Sequence, residues 1–181
     1  MVSYKSKLTM RRLWLLKSLI DIVYFFAIIG IIFGLPMIFM IAVMPNEVPF
    51  DIAVSKNGEI VENKTSWEII VSMFIIYIGY AFQVYAIYLF RKILVLFRKR
   101  IIFDVSVIKN FDQMGKAILI GYVTILLPVI FFALTSSHVE VKLNFMINDS
   151  FLIPGIGLFF IVLSEVFQMA KDMKEENELT V

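Results

Sequence analysis

Four apolar stretches, each long enough to cross a hydrocarbon core, constrain this chain more than anything else in it. They run over residues 22–43, 69–90, 117–137 and 151–170, and the only charged side chain in any of them is Glu165. A bilayer interior of about 30 Å takes roughly 20 helical residues to span. Inside it every backbone N–H and C=O has to be satisfied within the segment, which leaves helices or closed barrels, and unbroken apolar runs select helices. With 60% hydrophobic and 18% charged residues, the chain lies outside the range of soluble domains, which carry about 25% charge. The first stretch follows a basic leader but exceeds the h-region of a signal peptide, about 7 to 15 residues, and no A-x-A-like site follows it. It reads as a retained span.

Lysines and arginines near span ends stay on the cytoplasmic side. Fourteen of the 17 basic residues fall in the leader, in the connection between the second and third spans, and in the tail. The other two connections hold only Lys56, Lys64 and Lys142. This asymmetry predicts a multi-pass membrane protein with both termini in the cytoplasm. It also assigns the basic balance to anionic headgroups rather than to nucleic acid, for which no direct binding is expected.

The whole chain, 1–181, reads as one membrane domain with outer loops at 44–68 and 138–150, an inner elbow at 91–116 and a tail at 171–181. Asn57-Gly58 between two short alternating runs signals a hairpin. Val139, Val141, Leu143, Phe145 and Ile147 alternate at period two, a strand pattern. Together these predict a small antiparallel sheet capping the outer face. On the inner side, Arg91, Lys92, Arg98, Lys99 and Arg100 mark an elbow at the lipid headgroups, with span two continuing into it. Asp104 is placed to cap a short amphipathic helix carrying Val107, Ile108, Phe111 and Met114. The expected fold class is therefore an all-α transmembrane four-helix bundle, N-in/C-in, with an extracytoplasmic β-sheet cap and an amphipathic cytoplasmic elbow.

Lipid supplies no hydrophobic drive for helix association, so small residues that permit close approach mark the contacts. Gly30, Gly34, Gly79 and Gly121 are the expected packing positions, chiefly within the bundle, with a homo-oligomer through Gly30 and Gly34 as the lesser reading. Glu165 is the sharpest polar residue. At the depth of Gln83 and Asp21 it suggests an intramembrane polar latch, or an ion or proton site; the plainer reading is a snorkelling or salt-bridged carboxylate near a helix end.

No pattern of catalytic or metal-binding residues emerges. There is no cysteine and a single histidine, His138, which removes thiolate and His-rich metal sites, and no nucleotide loop or nucleophile elbow occurs. No enzyme activity, cofactor or metal is expected. Asn63 and Asn148 begin glycosylation-acceptor triplets.

The basic leader, the four spans, "LVLF" followed by Phe103-Asp104, and the ending "KEENELTV" resemble a family of small bacterial four-span membrane proteins of unknown function. Its members close with an acidic stretch leading into Leu-Thr-Val or Leu-Thr-Ile, matched here by Glu175, Glu176, Glu178, Leu179, Thr180 and Val181. This chain departs from the family in having Ile101-Ile102 and Met169-Ala170 where Gly and Pro, or Gly, are usual, which suggests a continuous helix from the fourth span into the tail. The resemblance implies a neighbouring Cro/CI-like helix-turn-helix regulator as cytoplasmic partner. The expected function is thus a regulatory or sensor protein that docks such a regulator through Glu178, Leu179, Thr180 and Val181. The alternatives are a small transporter or channel subunit using Glu165, or an immunity protein against a membrane-active toxin.

Overall fold

Leucine, isoleucine and phenylalanine in uninterrupted runs leave the backbone no partner but itself, and the chain is accordingly helical wherever it is apolar. The computed structural model describes residues 2–44, 54–56, 59–61, 67–135, 139–140 and 152–179. Four helices dominate: α1 (Val2–Val43), α2 (Trp67–Arg98), α3 (Val105–Thr135) and α4 (Leu152–Leu179). Each contains a segment apolar and long enough to cross a membrane. α1, at 42 residues, is about 60 Å long and reaches well beyond the slab at its start.

The β-sheet cap expected over the outer face is corrected: the architecture is all-α. The outer connections contribute only β1 (Val54–Lys56), β2 (Glu59–Val61) and β3 (Val139–Glu140). β2 and β3 flank β1 antiparallel, with Lys56 opposite both Glu59 and Val139. Strands of two or three residues present one or two side chains per face, too few to bury a layer. Among the described residues none of them makes an extended contact with a helix. The expected turn at Asn57-Gly58, the remainder of the alternating run to Ile147, His138, Asn63 and Asn148 lie outside the described residues.

The elbow differs from expectation as well. No separate helix skims the membrane there; the segment after Asp104 is the first part of α3 itself. α2 stops in a motif that returns the Arg100 N–H to the Phe97 carbonyl (3.0 Å) and the Ile101 N–H to the Leu96 carbonyl (3.1 Å). This places Arg100 at φ 60°, a position that usually holds glycine. Four residues later the Asp104 carboxylate accepts the Ser106 N–H at 2.8 Å, and its carbonyl accepts the Val107 N–H at 2.9 Å, capping α3.

The helices pack in chain order. α2 lies against α3, α3 against α4, and α1 against α2, while α1 makes at most a marginal contact with α4. The tightest core sits at the elbow end. Leu89 and Ile93 of α2 are shut off by Val107, Phe111, Met114 and Ile118 of α3, with Ile93 and Val107 fully inaccessible. The apolar face expected of a short amphipathic helix is therefore the face that holds α2 to α3. Phe111 packs on Phe97, Phe160 and Phe167, tying α4 to the same cluster. Elsewhere the apolar side chains face outward: only 11% of the most apolar window of α1 is buried. Such a surface needs lipid as its solvent.

Candidate functional site at the elbow end

The packing glycines set the frame. A Cβ on Gly79 would stand 2.9 Å from the Gly121 carbonyl oxygen, and one on Gly121 would stand 2.9 Å from that of Gly79. The two backbones touch where α2 crosses α3. Gly30 and Gly34 meet Tyr80 and Tyr77 of α2, whose hydroxyls donate to the Ala27 carbonyl at 3.2 Å and the Ile31 carbonyl at 2.9 Å. The Gly30–Gly34 stripe is thus engaged within the chain by α2. The sequence reading missed the second backbone crossing, where a Cβ on Gly115 of α3 would come within 2.6 Å of the Gly157 carbonyl oxygen of α4. It also missed the tyrosines, although a Tyr hydroxyl in a span needs a partner and signals one.

The proposed latch residues are not brought together. Asp21 is held by Lys17 one turn earlier and by Arg91 of α2, both at 2.5 Å, with the Arg91 guanidinium also 5.4 Å from the Tyr24 ring centre. The Lys17–Asp21 half was legible as an i,i+4 pair; the Arg91 half needed the α1–α2 register. Gln83 donates to the Ile118 carbonyl at 3.2 Å, so it braces α2 on α3. Glu165 is exposed on α4 and, among the described residues, joins neither Asp21 nor Gln83. Its depth follows from the aromatics: Phe160 and Phe167 both reach Phe111, which brackets Glu165 alongside the second turn of α3. That is the layer of Lys109 and Asn110, and these line one groove with Arg91. Glu165 therefore lies level with these polar residues rather than midway along the apolar part of α4. Lys116 of α3 pairs with Asp112 one turn earlier, at 2.7 Å.

Two features stand out on this end. One is an open groove of about 640 Å³ between the start of α1, the end of α2 and the start of α3, lined by Lys17, Arg91, Lys92 and Lys109 together with Asn110. Arg98, Lys99 and Arg100, the rest of the basic elbow, are exposed beyond it. The other is the extension of α4. It runs past Ala170 without a break to Leu179, as the Met169-Ala170 departure suggested. Lys171 to Glu175 (3.0 Å) and Lys174 to Glu178 (3.6 Å) pair along its flank, and Leu179 is 87% exposed. Thr180 and Val181 lie outside the described residues. Outside the spans, Asp104 is held below the usual carboxylate range by hydrogen bonds from the Ser106 hydroxyl and then its N–H.

Four apolar helices with outward-facing hydrophobic side chains define a multi-pass integral membrane protein in which the start of α1, the elbow and the end of α4 share one end. Residues 21–181 match the family described as "Protein of unknown function (DUF2975)", and the chain belongs to that family. No curated protein and no solved structure matches it. Among the described residues no cluster of His, Cys, Asp and Glu is arranged to hold a metal ion.

Proposed function

We propose that this protein works by docking rather than by chemistry, as a regulatory membrane partner whose elbow end holds a soluble cytoplasmic protein. The observation that carries the reading is the α4 extension. Residues 172–179 are exposed along their whole length, stay helical beyond the apolar segment, and concentrate Glu175, Glu176 and Glu178 before an apolar Leu179. A solvated helix end needs no such apolar tip, whereas a short helix with an acidic flank and a terminal apolar anchor suits a groove on a basic partner. A helix-turn-helix regulator, the partner implied by the family resemblance, carries such a basic surface for DNA. Holding it at the membrane would compete with DNA for that surface. Regulation further requires two states of the membrane domain with different affinity for the partner.

The test is removal of Glu175 to Val181 from the full chain, scored by membrane insertion and by co-purification of the regulator encoded nearby. Insertion should persist, and capture should fall by about tenfold or more, the loss of one anchored contact. Equal capture by the intact and shortened chains rejects the tail as the docking element.

A further inference from the structure

We propose that the groove between α1, α2 and α3 is a binding site for a phosphate-bearing anion, the lipid headgroup or a soluble phosphate being its two sources. The proposal is independent of the docking role given to α4.

The charge balance is the first observation. Lys17, Arg91, Lys92 and Lys109 converge on one groove, and the carboxylate that reaches this set, Asp21, is bonded to Lys17 and Arg91. Lys92 leans over the Tyr88 ring, 5.4 Å from its centre. Lys109 has no ion pair among the described residues. Four cations against one carboxylate leave a local positive excess. Coulomb repulsion among cations lining one groove is unfavourable unless an anion offsets it.

The second observation is Asn110. It is only 7% exposed and lines the groove, and among the described residues its amide has no hydrogen-bond partner. A side-chain amide so enclosed is normally paired. Because no fully buried polar atom lacks a partner, the Asn110 amide keeps its opening toward the groove. Its N–H groups are thereby available to a phosphate oxygen, with cations around it to supply charge-assisted bonds.

Position gives the third. The groove sits at the depth where the charged layer meets the apolar slab, with Tyr88 on its wall, and basic pockets of this kind between spans suit anionic headgroups. Its volume of about 640 Å³ accommodates a glycerophosphate headgroup.

The test uses the full-length protein in neutral detergent, by native mass spectrometry, with phosphatidylglycerol or phosphatidylcholine as probe. A second arm titrates inorganic pyrophosphate in the absence of lipid. Wild type should retain one phosphatidylglycerol under conditions that strip phosphatidylcholine. Lys92→Gln/Lys109→Gln should lower that retention about tenfold or more, and Asn110→Leu should lower it with helicity and elution volume unchanged. Arg98→Gln/Lys99→Gln, which alters basic residues outside the groove, should leave it intact. Should Asn110→Leu fail to fold, the two exposed lysines carry the test alone. Pyrophosphate binding that is lost in the groove variants, with no lipid preference, assigns the site to a soluble phosphate and upholds it. Equal losses from the Arg98/Lys99 control, or no response of either probe to the groove variants, overturn it.

Discussion

Among the described residues, Arg100 is the non-glycine residue held at positive φ. A left-handed conformation costs a side-chain-bearing residue about 1–2 kcal/mol, and glycine none. Arg100→Gly should raise the thermal midpoint in detergent, equivalent to about 1 kcal/mol, while leaving the turn in place. An unchanged or lowered midpoint would mean that the Arg100 side chain contributes more than its backbone costs. Asp104 makes a prediction in pH. Its folded carboxylate titrates below the ordinary value, so its capping contribution is complete above about pH 4 and is lost as pH falls through the lowered value. Amide protection at Ser106 to Ile108, measured against the intrinsic exchange rate at each pH, should fall in that acid window, and Asp104→Asn should flatten the dependence. The two tyrosine hydroxyls bind α1 to α2 by bonds that average about 0.6 kcal/mol in membranes. Tyr77→Phe/Tyr80→Phe should therefore cost about 1 kcal/mol, read as a lowered midpoint. At this scale the sequence was legible where partners are local, as with the Asp104 cap and the Lys17–Asp21 pair. It was not where a partner lies on another helix: nothing in composition or spacing sends Asp21 to Arg91 or opens Asn110 toward a groove.

The elements were the easier part to read. Length and hydropathy placed all four helices, because a span cannot hide among shorter alternatives. The ends were harder. The run Val107, Phe111, Met114 has the same period whether its apolar face meets lipid or another helix, and only tertiary contact decides between the two. The outer connections misled for a related reason, since alternation specifies a face without supplying anything to cover it. Helix crossings were half legible: Gly79 and Gly121 stood out in small-residue stripes, whereas Gly115 and Gly157 did not. They make an equally close approach, and a leucine at Gly115 has to displace the Gly157 carbonyl and Ile161. Gly115→Leu should separate α3 from α4 and lower the detergent midpoint by the equivalent of about 3 kcal/mol or more. The same substitution at Gly155, where a Cβ meets nothing within 4 Å, should be nearly neutral. Similar effects at both positions would show that helix propensity, rather than the crossing, governs the result.

At the scale of the whole molecule, the structure fixes which segments share an end, and the basic residues predict which side of the membrane that end occupies. The absence of cysteine from the sequence makes the prediction simple to check. A lone cysteine replacing Lys99 or Lys174 should react with an impermeant maleimide only after the membrane is opened, and one replacing Lys56 should react in intact cells. The reverse pattern would invert the topology and remove the α4 extension from reach of any cytoplasmic partner. The order of helix contacts has a further consequence, for the way such a chain is made. Each span finds its main neighbour in the span next to it in sequence, so a ribosome feeding the membrane from the N-terminus delivers every helix after α1 beside a partner already inserted. α1 waits only for α2, and α4, arriving last, meets the phenylalanines of α2 and α3 already side by side. Assembly can keep pace with synthesis, and no greasy surface has to be stored for a distant segment still to come.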